Sequence, residues 1–146
     1  MPAIHHHLHV VHPDEIDEQG HAGNVAFVQW MQDAAIAHSA AQGWPGERYR
    51  RERSAWVVRS HAIEYRGQAF AGDEIVVRTW VSNFRKVTSL RKYRIERVAD
   101  GAVLAIAETD WAFLDTDRGA PQRIPREVAE AFEIVPPENQ PGLGGR

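Results

Sequence analysis

Asp17-Glu18-Gln19-Gly20-His21-Ala22-Gly23-Asn24 runs without a break into Val25-Ala26-Phe27-Val28-Gln29-Trp30-Met31-Gln32-Asp33-Ala34-Ala35-Ile36-Ala37-His38-Ser39-Ala40-Ala41. From Val25 to Gln42 there is neither proline nor glycine, alanine is abundant, and Phe27, Met31, Ala34 and Ala41 recur at helical spacing. The spacing predicts one long helix, stopped by Gly43 and Pro45. Val28, Trp30, Ala35, Ile36 and Ala37 put apolar groups on its other faces, which predicts a helix largely enclosed by other structure. Just before it stands a carboxylate, Asp17. A helix start offers unpaired N–H groups and the positive end of a dipole, a setting suited to a developing oxyanion.

Outward from the helix, the pattern changes. His5 to His12 carries Leu8, Val10 and Val11 and ends at Pro13, which predicts a short first strand. Arg48-Tyr49-Arg50-Arg51-Glu52-Arg53 reads as a charged connector. Ala55 to Arg66, Glu74 to Phe84, Val87 to Val98 and Ala102 to Asp115 are rich in Val, Ile, Thr, Trp and Tyr, and read as long strands. Gly72-Asp73 and Asp100-Gly101 are hairpin-type dipeptides, so a four-stranded antiparallel meander is expected. Ile124-Pro125 opens a final helix through Phe132, with proline at its first position. The prolines and glycines of residues 136–146 predict a flexible tail after a single domain spanning residues 1–135.

Composition sets limits on the chemistry. With 146 residues, 43% hydrophobic and 25% charged, there is material for one core and no second domain. The formal charge of −3 supplies no general attraction to nucleic acid or an anionic membrane, so neither is expected as a partner. No cysteine is present, which removes thiolate nucleophiles and disulfides and suits an intracellular protein. The first residues have no basic and apolar leader pattern, and no apolar run approaches a membrane span, so a cytoplasmic protein is expected. His5, His7 and His9 alternate onto one strand face, but three ligands on a flat strand do not converge. No functional metal is expected from them.

One strand, one long helix and four long antiparallel strands is the order of the hotdog fold. The chain resembles the hotdog acyl-CoA thioesterases of the 4-hydroxybenzoyl-CoA thioesterase type over about Leu8 to Phe132. Asp17, Gly20, His21 and Asn24 carry the match, with Gly72-Asp73, Asp100-Gly101, Trp111, Leu114-Asp115 and the closing Arg123-Ile124-Pro125-Arg126-Glu127. The resemblance implies an α+β hotdog domain, its long central helix wrapped by a five-stranded antiparallel sheet. It implies Asp17 as the catalytic carboxylate, no cofactor, and an acyl-CoA or acyl-carrier-protein thioester as substrate. It also implies a homodimer or homotetramer whose active sites lie between protomers.

Thioester hydrolysis needs a nucleophile or a base for water, and donors for the tetrahedral oxyanion. There is no Gly-x-Ser-x-Gly elbow, so a carboxylate is the candidate, either as general base or as nucleophile. Backbone N–H groups of Gly23, Asn24 and Val25 are the candidate oxyanion donors. The type enzyme has a longer loop between its glycine and asparagine, so which donor serves is open. Asn24 is also a natural N-cap. His21 either touches the substrate carbonyl or bonds to backbone. Ser89, with Thr88, could meet substrate near the start of its strand, and Arg85 and Lys86 suit the phosphates of CoA. Asp33, the one acid within the long helix, is the rival carboxylate, with an ion pair as its expected role. Trp30, Trp44, Trp56, Trp80 and Trp111 either shape an acyl pocket or fill core. Two other readings stand beside hydrolysis: a non-catalytic acyl-binding or scaffolding hotdog protein, and a hydratase or dehydratase, whose Asp-x-Asn-x-x-His motif is absent.

Overall fold

The computed structural model describes residues 3–141. Strand β1 (His5–Val10) leads through a single 3-10 turn at Pro13–Glu15 into helix α1 (Asn24–Ala41), a short helix α2 (Gly46–Arg51) and strand β2 (Ser54–Tyr65). Strands β3 (Glu74–Phe84), β4 (Thr88–Arg97) and β5 (Val103–Asp115) follow, then a two-residue strand β6 (Ala120–Pro121) and helix α3 (Arg126–Glu130). The sheet is antiparallel throughout and ordered β1-β3-β4-β5-β2, with β6 added beside β5. The five strands expected are thus six.

One connection differs from expectation. Only β3, β4 and β5 form a meander, since β2 pairs with β5 across the register Ser54↔Asp115 to Tyr65↔Ala105. Gly72-Asp73 is therefore no β2–β3 hairpin. It ties the end of β1 to the start of β3, with the Gly72 N–H donating to Val11 O at 2.9 Å and the Val11 N–H to Asp73 O at 2.8 Å. Gly72 takes a φ of +88°, which glycine adopts without the Cβ clash other residues meet. Asp100-Gly101 does close the β4–β5 hairpin, its Gly101 at φ +71°.

Helix α1 lies on the inner face of the sheet. Phe27, Trp30, Met31 and Ala34 are buried against Ile75 and Val77 of β3, Tyr93 and Ile95 of β4, and Leu104 and Ala105 of β5. Burying such side chains stabilises the fold by about 1.5–3 kcal/mol apiece. Enclosure is incomplete, however: Val25 and Ile36 are 83% and 59% exposed. An apolar strip on α1 faces outward because a single sheet has one concave face and covers one side of a helix. Trp44, Tyr49, Phe113, Val128 and Phe132 form a second cluster beyond the end of α1.

The charged connector at Arg48–Arg53 is largely helix α2. Arg48 and Glu52, and Glu47 and Arg51, pair at i,i+4, while Tyr49 turns inward and the Arg48 guanidinium stacks 3.7 Å from the Trp44 ring centroid. Pro125 caps α3 from outside rather than occupying its first turn. Beyond it, residues 136–141 of the expected tail contain a 3-10 turn, and Gln140 Nε2 donates to Val135 O at 2.9 Å. The remaining residues of that tail, 142–146, lie outside the described ones. No described helix is long and apolar enough to cross a membrane.

Candidate active site

The loop before α1 is a compact turn. Ile16 and Ala22 bridge as antiparallel neighbours, the Asp17 N–H donates to His21 O at 2.9 Å, and the Gly20 N–H donates back to Asp17 O at 3.0 Å. Gly20 closes it at φ +88°, a conformation that favours glycine. Asp17 Oδ1 accepts the Gln19 N–H at 2.9 Å, which fixes the carboxyl. Its other oxygen, Oδ2, lies beside Gly23: a Cβ built on Gly23 would stand 3.4 Å from it. The carboxylate therefore sits against the first residue before the helix, as the sequence predicts.

Gly23 is the N-cap, so Asn24 is the first helical residue and not the cap. The Gly23 N–H already donates to Glu15 O at 3.1 Å, which removes it from the free donors at the helix start. Among the described residues nothing accepts from the N–H groups of Asn24 and Val25, and neither Asp17 oxygen does. Asp17, Gly23, Asn24, Val25 and Gln29 line one depression, open on the exposed side of α1.

Glu15 anchors this arrangement. Its Oε2 accepts the indole N–H of buried Trp30 at 2.7 Å, and its Oε1 takes the His12 N–H and His9 Nε2, each at 2.8 Å. Burial pushes the Glu15 pKa up, but the bonds from His12, His9 and Trp30 outweigh it and hold the carboxyl below its ordinary value. The His9 ring lies tilted at 44° against Trp30, with ring centroids 5.5 Å apart. His5, His7 and His9 do share the inward-leaning side of β1. Among the described residues no group of three or more His, Asp or Glu is placed to hold a metal ion.

His21 contacts the next residue's backbone, Nδ1 standing 3.3 Å from Ala22 O, and lines a neighbouring hollow with Asn24, Phe27 and Tyr65. Asp33 accepts from Gln29 Nε2 at 2.8 Å; among the described residues it has no cationic partner, so the expected ion pair is not formed. Arg85 and Lys86 line a separate basic hollow, where Arg123 and Arg126 from the closing segment join them. Arg126 pairs with Glu130 at 2.7 Å, while Arg85, Lys86 and Arg123 form no ion pair among the described residues. Ser89 is nearly buried, donates to Asn83 O at 2.8 Å, and lines a narrow cleft between α1 and the sheet. Trp56 and Trp111 line that cleft as well, whereas Trp30, Trp44 and Trp80 are core. Within one chain, then, Asp17 shares no hollow with Arg85, Lys86 or Ser89.

One residue of the cleft escapes the sequence reading. Arg91, on the central strand β4, is buried at 6% exposure. Its Nη1 contacts His38 Nδ1 at 2.9 Å and donates to Thr79 Oγ1 at 3.1 Å. The one available signal is the alternation Ser89, Arg91, Tyr93, Ile95, which puts a cation on an otherwise inward face.

A curled antiparallel sheet packed on one long helix is the fold of the hotdog thioesterases. Residues 11–132 match the Thioesterase-like superfamily, and the chain belongs to it. Over 81 residues it is 36% identical to an acyl-[acyl-carrier-protein] hydrolase, FATB3, of Cuphea viscosissima, a stretch that covers 56% of this chain and spans 19% of that protein. Its structure resembles a 1,4-dihydroxy-2-naphthoyl-CoA thioesterase from Synechocystis at a TM-score of 0.82 and 15% identity, covering 88% of this chain and 95% of that one. It also resembles a DHNA-CoA thioesterase from Staphylococcus aureus, with a TM-score of 0.83 and 18% identity over 91% and 97% of the two chains. At these identities the structural likeness concerns the fold.

Proposed function

We propose that this protein hydrolyses an acyl thioester, of CoA or of an acyl carrier protein, to the free acid and thiol. The observation that carries the reading is the juxtaposition of the Asp17 carboxylate, its Oδ2 against Gly23, with the unpaired N–H groups of Asn24 and Val25. A thioester carbonyl in that depression directs its oxygen at the helix start and its carbon toward Asp17. Acting as base, Asp17 takes a proton from water as the water oxygen bonds to that carbon. The carbonyl electron pair moves onto oxygen, where the helix-start N–H groups hold it. Collapse re-forms the C=O bond, expels the thiolate, and leaves the proton for the departing sulfur. Acting instead as nucleophile, Asp17 attacks the carbonyl carbon and expels the thiolate to form a mixed anhydride, which water then cleaves to the free acid and the Asp17 carboxylate, its proton passing to the thiolate.

The working form is a homodimer or larger. Support comes from the apolar strip on α1 at Val25 and Ile36 and from the edge strand β2, which has a neighbour on one side alone. In such a dimer Arg85, Lys86 and Arg123 of one protomer take the phosphates of a CoA whose thioester reaches Asp17 of its partner. A panel of acyl-CoA and acyl-carrier-protein thioesters assayed for free thiol tests this reading. Thiol release from at least one of them is expected; release from none would overturn hydrolysis and favour a binding protein.

A further inference from the structure

The cleft between α1 and the sheet contains a cation whose pairing is incomplete. Arg91 sits at the centre of the sheet, opposite Val81 of β3 and Thr109 of β5, and its guanidinium points to the face that α1 covers. Both hydrogen-bonding partners are neutral and both are met by Nη1. Since a guanidinium has no acceptor, His38 Nδ1 must supply the lone pair of that contact. Among the described residues no carboxylate lies within ion-pair distance of Arg91, and Nε and Nη2 have no hydrogen-bond partner. Burial pushes the Arg91 pKa down, only partly offset by Tyr93 and Tyr49, as expected of a cation held in an apolar setting.

Such a group is costly unless an anion completes it. A buried charge is normally paired, and a guanidinium fork is shaped for the two oxygens of a carboxylate. The surroundings suit a carbon chain: Trp56, Trp111, Phe84 and Phe132 form the walls, and exposed Ile36 stands at the mouth. The cleft measures about 80 Å³, on the order of five water-sized spheres. That is room for the end of a short acyl chain and not for a whole thioester.

Resting on the hydrolase reading above, we propose that this cleft receives the distal end of an acyl group whose thioester is held at Asp17 of the partner protomer, and that Arg91 selects substrates ending there in a carboxylate. The substrate class is thus the thioester of a short dicarboxylic acid. The charge that fills the cleft comes with the substrate, which is why the fold supplies none of its own.

The test uses the full chain and two non-hydrolysable probes, S-(ω-carboxybutyl)pantetheine and S-pentylpantetheine, titrated calorimetrically. Pantetheine is the arm common to CoA and acyl carrier protein. The carboxylate probe should bind at least about tenfold more tightly, a difference of about 1.4 kcal/mol. Arg91→Met should abolish or reverse that preference, and Arg91→Lys should keep part of it, retaining the charge without the fork. Equal affinity of the two probes for the unmodified protein would overturn the proposal, even if Arg91→Met fails to fold. So would a preference unchanged in folded Arg91→Met. Because neither probe can be cleaved, a carboxylate preference without any thiol release refutes only the hydrolysis, while hydrolysis without a preference refutes only the role of Arg91.

Discussion

Replacing Glu15 by alanine should unlock the loop that carries Asp17, and the structure sets the size of the effect. Three donors lose their acceptor: Trp30 Nε1, His9 Nε2 and the His12 N–H. Trp30 is 1% exposed, so water does not replace the carboxylate there, and an orphaned buried N–H costs about 1–3 kcal/mol. The His9 pair is partly exposed and adds about 0.5 kcal/mol. His12 is exposed and its N–H turns to water at little cost. The sum is a loss of about 1.5–3.5 kcal/mol, or roughly 3–14 °C in Tm at about 2–4 °C per kcal/mol for a chain of this size. Thermal unfolding followed by circular dichroism at one fixed protein concentration reads it, since association also shifts Tm. A cycle with Trp30→Phe separates the indole bond from the rest and should give a coupling of about 1–2 kcal/mol. A Glu15→Ala loss below about 0.5 kcal/mol, or additive single and double variants, would refute the reasoning.

Three further outcomes follow from the site and its titratable groups. Gly23→Ala should fold and keep turnover close to the unmodified rate, because its Cβ would stand in ordinary contact with Asp17 at 3.4–3.5 Å and leave the carboxylate in place; steady-state kinetics checks it. Of Asn24→Pro and Val25→Pro, one should cut thiol release by about 100- to 1000-fold with the helix intact, since proline is tolerated in a first turn and removes a single N–H; Asn24→Ala controls for the side chain, and two fully active proline variants would contradict the oxyanion assignment. Stability should fall on acidification in two steps. His5 is held below its ordinary pKa by burial and then by the nearby His7, Arg91 and His6, and His61 is held below it by burial. The unfolded chain therefore binds those protons first, and stability present above about pH 6.5 declines below it. Glu15, also depressed, adds a further loss as pH drops below about 4.3. Urea midpoints across that range measure both, and His61→Gln should flatten the first step.

The helix, the strands and the Asp17 turn were readable because each is a local pattern. Helical spacing from Val25 to Gln42, alternation in the long strands and the loop glycines all act within a few residues. Pairing is not local. Nothing in Ser54–Tyr65 says that β2 meets β5 at the far edge rather than β3, because both partners offer the same alternating apolar face. The short helix α2 was hidden by its charges, since its hold comes from Tyr49 and Trp44 turning inward from an otherwise polar stretch. Asn24 looked like a cap because its residue type favours that place, yet Gly23 takes it without any side-chain capping bond, one residue earlier. Arg91 was illegible for a related reason. Arginine on a strand ordinarily faces water, and its burial depends on His38, 53 residues away, and on a cleft no single segment encodes.

The most direct measurement is the rate of free-thiol release by Asp17→Asn, set beside Asp33→Asn, on the thioester that the unmodified protein cleaves fastest. The account predicts that Asp17→Asn lowers kcat by about 100-fold or more with KM little changed, while Asp33→Asn stays close to the unmodified rate. Near-normal turnover by Asp17→Asn, with activity lost in Asp33→Asn instead, would contradict it.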